Sequence, residues 1–178
     1  MTSTIADLEN KIKIGLNDFC TGLGRKEWNA KIRQILQKII KDNYEGKYEC
    51  QFPGLTEGVK DCMFDFACYE YYYEEKYDDT LEISSYSRRN AFFVAEIEWD
   101  DLFENNVQPD FEKLLVARAN YRLMVFRTEN EKTANNCFKF LNEIVDKFER
   151  TEPDDNYIYA VSLNNERGRF ITHSRITR

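Results

Sequence analysis

Two carboxylates close the most apolar stretch of the chain. Residues 91–99 read AFFVAEIEW. An extended strand, with its period of two, puts Phe92, Val94, Glu96 and Glu98 on one face and Phe93, Ala95, Ile97 and Trp99 on the other. Both faces begin apolar, which predicts a central strand whose end carries Glu96 and Glu98 about 7 Å apart. Ionised groups at the end of a buried strand are costly unless they are paired or bound to a cation. Hard divalent ions such as Mg²⁺ take oxygen ligands, usually one or two carboxylates with waters and phosphate oxygens. A third acid, Asp65, interrupts the aromatic stretch Phe64-Asp65-Phe66, although aspartate suits a strand interior poorly. If the two strands pair, Asp65 meets Glu96 across the ladder. Lys113, one turn into the following helix, can aim its ammonium at the same place. These parts predict an oxygen cage for Mg²⁺ or Mn²⁺ that holds a phosphate and acidifies a water, with a lysine to orient that water or balance charge. The competing reading leaves Glu96 and Glu98 at a solvent-facing strand end capped by Arg88, Arg89 or Arg118, with Asp65 in a turn.

Other chemistries are poorly supplied. The single histidine, His173, argues against Cys/His zinc sites and Ser-His-Asp catalysis. The five cysteines are an odd number and none forms a C-x-x-C. With no basic-then-apolar leader in MTSTIADLENKIK, they are expected to be reduced, mostly buried thiols of a cytoplasmic protein. No apolar run approaches the ~20 residues of a membrane helix.

The net charge of −7 counts against a non-specific nucleic-acid binder, but the charge is segregated. Residues 70–82 carry net −5, residues 25–47 net +4, and the tail from Arg167 to Arg178 another +4. Lys31 and Lys38, two turns apart on one helix side, and the tail arginines Arg167 and Arg169 are candidate phosphate contacts, as are Arg88, Arg89 and Arg118.

Hydrophobic periodicity supplies the elements that must position these groups. Helices are expected over 3–20 and 25–43, a short strand at 47–52, strands at 62–73 and 91–99, and a further one at 81–86. Pro109 and Asp110 open a helix with Asp110 as cap, followed by a strand at 121–127. A helix over 131–149 precedes strands at 156–163 and 169–174. A chain of 178 residues with 42% hydrophobic content fits one domain. The expected fold is α/β (α+β): a central mixed sheet of about five strands flanked by helices. Residues 1–45 form an N-terminal helical part and 46–178 the sheet core. The strand–helix–strand run at 91–127 implies a parallel pair.

Helices, a strand with an embedded aspartate (FDFACYEYY), a strand ending VAEIEWDD, a helix of the form D-F-x-K-L-L and a further strand together resemble the restriction-endonuclease-like, or PD-(D/E)-x-K, nuclease superfamily. The resemblance is closest over residues 60–127. It implies Asp65 and Glu96 as Mg²⁺ ligands. Glu98 takes the place usually held by lysine, an E-x-E variant in which Lys113 supplies the displaced lysine. Asp65 is preferred to Asp61 because hydrophobic strand residues follow it. DNA is the implied partner, with a homodimer or a protein partner to supply recognition. Loss of the motif lysine is also how inactive members look. The alternative is therefore a non-catalytic nuclease-fold protein acting as a binding or regulatory module through its tyrosine-rich strand (Tyr69, Tyr71, Tyr72, Tyr73).

Overall fold

The computed structural model describes residues 4–18, 24–44, 48–52, 63–72, 87–99, 106–166 and 168–177. Two amphipathic helices come first, α1 (Ile5–Asn17) and α2 (Arg25–Asn43). Thr4 caps α1 in a box with Asp7, which satisfies donors that the first turn leaves open. Leu8, Ile12 and Leu16 of α1 and Trp28, Ile32, Leu36 and Ile40 of α2 are buried, the spacing of one helical stripe. The helices approach closely at Gly15, where an added Cβ would stand 2.9 Å from a methyl of Ile35.

Six strands follow: β1 (Tyr48–Gln51), β2 (Phe66–Tyr72), β3 (Ser87–Ile97), β4 (Ala119–Thr128), β5 (Asn156–Leu163) and β6 (Arg169–Ile176). Helix α3 (Gln108–Val116) joins β3 to β4, and α4 (Glu131–Lys147) joins β4 to β5. The strands lie in one mixed sheet in chain order. β3, β4 and β5 are parallel, while β1–β2, β2–β3 and β5–β6 are antiparallel. The expected parallel pair is therefore present, and the sheet has six strands where about five were expected. The proposed strand at 81–86 lies outside the described residues.

One sheet face packs on α1 and α2 through Phe66, Cys68, Phe93, Ala95, Ile97, Leu123, Val125, Ile158 and Ala160. The other packs on α3 and α4 through Ala67, Val94, Met124, Phe126, Tyr157, Tyr159 and Val161. Strict alternation assigns Phe92 to the face of Val94, yet its ring joins the α1/α2 core against Tyr44 and Tyr48. The ladder explains this. Cys68 pairs with Phe93 and Tyr69 with Ala91, so Phe92 is an extra, bulged residue, and a bulge re-aims its side chain. Beyond it the alternation resumes, with Phe93, Ala95 and Ile97 on one face and Val94 and Glu96 on the other.

Three local expectations are corrected. Asp65 lies in the bend just before β2 rather than inside the strand. Asp110 is not the cap of α3: Val107 holds that position, Pro109 opens the first turn, and Asp110 lies within it. Cys50 and Cys68, directly opposite on β1 and β2 with Cα atoms 4.1 Å apart, are disulfide-bonded rather than free thiols. Spacing in sequence could not show that β1 would set Cys50 opposite Cys68 in register. Cys137 is a buried free thiol, its pKa pushed up to about 11 by burial; Cys20 and Cys62 lie outside the described residues.

The Cys50–Cys68 bond spans 18 residues, for which loop-closure entropy gives about 3 kcal/mol. The Cys50→Ala/Cys68→Ala protein is expected to lose on that order of unfolding free energy in a denaturant titration. Equal midpoints for the double variant and the oxidised parent would show that the bond does not form in solution.

Candidate functional site

The C-terminal ends of the parallel strands carry the acids. Glu96, the penultimate residue of β3, is only 2% exposed. Its neighbours are Asp65 from the bend before β2 and Lys113 from α3. The pairing of Phe66 with Ala95, continued one step, sets Asp65 opposite Glu96, as the sequence reading expected. The two carboxyls are near enough that the charge of Asp65 raises the Glu96 pKa. Asp65 also does the work of a strand residue without being one: its Oδ2 accepts the Ile97 amide at 3.0 Å. A short acceptor side chain there replaces a backbone carbonyl, which accounts for aspartate at a position where strand propensity argues against it.

Lys113 reaches the site as expected. Its Nζ lies 2.6 Å from Asp110 Oδ1 and 3.6 Å from Glu96 Oε1. The second distance exceeds a hydrogen bond, so Glu96 Oε1 is buried with no hydrogen-bond partner. The bond to Asp110, then the nearby charge of Glu96, hold the Lys113 pKa above its ordinary value. Burial, with the adjacent Asp65 carboxylate as the second cause, pushes the Glu96 carboxyl up to about 8. Such a group is protonated at neutral pH unless a cation approaches it.

Glu98 does not join this group. β3 ends at Ile97, so the period of two no longer governs the side chain one residue on. The Glu98 amide still donates to Val125 O at 2.8 Å, while its carboxylate meets Arg25 of α2 at 3.5 Å. The expected cage of three acids is therefore replaced by a pair, Asp65 and Glu96. Among the described residues no set of three or more His, Cys, Asp or Glu stands ready to hold a metal. Two carboxylates nevertheless satisfy the protein share of a Mg²⁺ shell, which keeps several waters, and the partnerless Glu96 Oε1 is a fitting donor atom.

Two arginines that the sequence reading passed over stand here. Arg33 of α2 donates to Asp65 Oδ1 at 2.6 Å, and Arg25 contacts Glu98. Both lie in the basic stretch 25–47, but the reading weighed Lys31 and Lys38, which face solvent on the outer side of α2. The useful signal was phase: Arg33 follows Ile32, a buried residue of the apolar stripe. Past the strand end, Trp99 packs edge-on against Trp28 at 5.2 Å between ring centroids, and the Arg127 guanidinium lies 3.9 Å above the Trp99 ring.

The other proposed phosphate contacts are placed elsewhere. Arg88 and Arg89 lie near the start of β3, eight and seven residues and roughly 25 Å of strand away from Glu96. Arg118 precedes β4 at that same far end. It lines a cavity of about 700 Å³ with Arg122, Arg150, Glu152 and Asp155, where the buried Arg122 is tied to Asp155 at 2.9 Å. Arg169 is neutralised by Glu131 at 2.9 Å and Glu166 at 2.6 Å, and Arg175 by Asp146. Among its described residues the tail is therefore not a stripe of unspent charge. Arg167 and Asp61 lie outside the described residues. No helix among the described residues is long and apolar enough to cross a membrane. No protein-family model matches the chain, and no curated protein or solved structure is significantly similar to it.

The displaced Glu96 pKa has a pH signature. The folded state holds this proton more tightly than the unfolded chain, so the resulting stability is complete below about 4.5 and is lost as pH rises through about 8. Glu96→Gln, which mimics the protonated form, is expected to match the parent at low pH. In chelator-treated buffer above pH 8 it should be the more stable by a few kcal/mol. Melting curves across that range check this, and parallel pH slopes for the two proteins would show Glu96 ionised throughout.

Proposed function

We propose that the chain is a divalent-metal-dependent nuclease of the restriction-endonuclease-like superfamily, hydrolysing phosphodiester bonds of DNA. One observation carries the reading: Asp65 and Glu96, from adjacent antiparallel segments, converge at the sheet's C-terminal end around a buried Glu96 oxygen with no hydrogen-bond partner. The element order also supports it, since helices, strands, the acid-bearing strand β3, α3 and β4 follow one another as in the resemblance. DNA as partner, pairing with a second copy or another protein, and a cytoplasmic location belong to the same proposal. The Cys50–Cys68 bond weighs against that location, since glutathione and thioredoxin keep thiols reduced there.

Asp65 and Glu96 are the residues to hold Mg²⁺ or Mn²⁺. The ion, when bound, supplies Lewis-acid charge to the scissile phosphate. The chain's own groups account for the remainder. Water adds to phosphorus in line as the bridging P–O bond breaks, and the leaving oxygen takes up a proton. Lys113 is placed to hold the attacking water and offset charge developing on phosphorus. Asp110 fixes the lysine by its 2.6 Å contact. Glu98, paired with Arg25, is left as a support of the strand end rather than a holder of the water.

Glu96→Ala and Asp65→Asn are expected to abolish Mg²⁺-dependent cleavage of plasmid DNA while the protein stays folded. Lys113→Ala should reduce cleavage at least about 100-fold without loss of Mn²⁺ binding. Full activity in Glu96→Ala would remove this assignment.

A second reading has its own observation. Arg33 lies 2.6 Å from Asp65, where a guanidinium neutralises the acid that a metal would use. A non-catalytic module of the same fold would keep that pair permanently. It would show neither Mn²⁺ heat in a calorimetric titration nor cleavage under any divalent ion.

A further inference from the structure

We propose that Arg33 is the phosphate-binding residue of this site, parked on Asp65 in the metal-free protein and released to the substrate phosphodiester when a divalent cation takes that carboxylate. This rests on the nuclease reading above and deepens it.

Arg33 reaches the strand ends from α2, while the helix carrying Lys113 packs on the opposite face of the sheet. Its side chain is 14% exposed. Its contact with Asp65 does not use the guanidinium fully. Nη2 donates to Oδ1, the second carboxylate oxygen is taken by the Ile97 amide, and the buried Arg33 Nε has no hydrogen-bond partner. Arginine–carboxylate pairs frequently set two parallel donors against two oxygens. Here the fork keeps an unspent donor, and a fork of fixed geometry matches two oxygens of a phosphate.

Charge points the same way. Arg33 and Lys113 face three acids, Asp65, Glu96 and Asp110. With a divalent ion bound and all three acids ionised, the cluster carries a formal surplus of one, the charge that a single phosphodiester neutralises. Two cations on one carboxylate repel each other, so the ion and Arg33 compete for Asp65. A phosphate beside the ion gives the displaced guanidinium a new acceptor.

The test uses Mn²⁺ alone, then a fluorescent DNA duplex in Ca²⁺, on the parent, Arg33→Gln and Arg33→Lys, with melting curves to establish folding. Removing the competitor in Arg33→Gln should tighten Mn²⁺ binding roughly tenfold and weaken DNA binding at least about tenfold. Arg33→Lys keeps the charge but not the fork, so Mn²⁺ affinity should stay near the parent's while DNA affinity falls. Unchanged or weaker Mn²⁺ binding in Arg33→Gln overturns the exchange. Tighter Mn²⁺ binding with unaltered DNA affinity overturns the phosphate role and leaves the nuclease reading standing. No Mn²⁺ binding in any of the three proteins overturns both. Should Arg33→Gln fail to fold, parental DNA affinity in Arg33→Lys overturns the proposal alone.

Discussion

A carboxyl with one partnerless oxygen, buried at the end of a central parallel strand, is the constraint around which this end of the molecule is arranged. Glu96 cannot move to water, because Val94 behind it and Met124 beside it are fully buried. Nor is it neutralised at contact distance, since Lys113 prefers Asp110. A fold selected for stability alone gains by replacing such a group with an apolar one. Its presence among 0%-exposed neighbours marks the position as a candidate site, as perturbed acids in clefts generally are.

Support for the pair comes from both faces of the sheet. From the α1/α2 side, Arg33 reaches Asp65 and Arg25 reaches Glu98, while Trp28 braces Trp99. From the α3/α4 side come Lys113 and the Asp110 that holds it. The pair thus lies at a seam between the two cores, where the strand ends are common ground. The antiparallel register of β2 on β3 sets Asp65 against Glu96, and the parallel register of β3 on β4 fixes how far the strand projects.

Much of this was legible in the residues, and the failures have physical causes. Periodicity located the helices and strands because each buries a stripe or a face. It also found the acid pair and the lysine, since β3 holds its alternation from Phe93 to Ile97. It misplaced Glu98 because alternation ends where the ladder ends. It missed Arg33 and Arg25 because tertiary packing, and not spacing, decides which cations of a basic helix face inward. Arg88 and Arg89 are near Glu96 in sequence, yet an extended strand carries a residue eight positions away along most of its length. Arg169 and Arg175 found acids on α4, Glu131 and Asp146, that no local window contains. The Cys50–Cys68 bond was hidden for the same reason.

The bulge at Phe92 has a consequence for how this protein can change over time. Because that one surplus residue sets the phase of everything after it, deleting a single codon between Phe92 and Glu96 would rotate the remainder of the strand by half a pleat. The acid would then be driven into the greasy side that packs on α1 and α2, and Ile97's neighbours would swap layers. No substitution is needed to break up such a pair of acids. A slip in length does it, and a compensating insertion nearby could restore it.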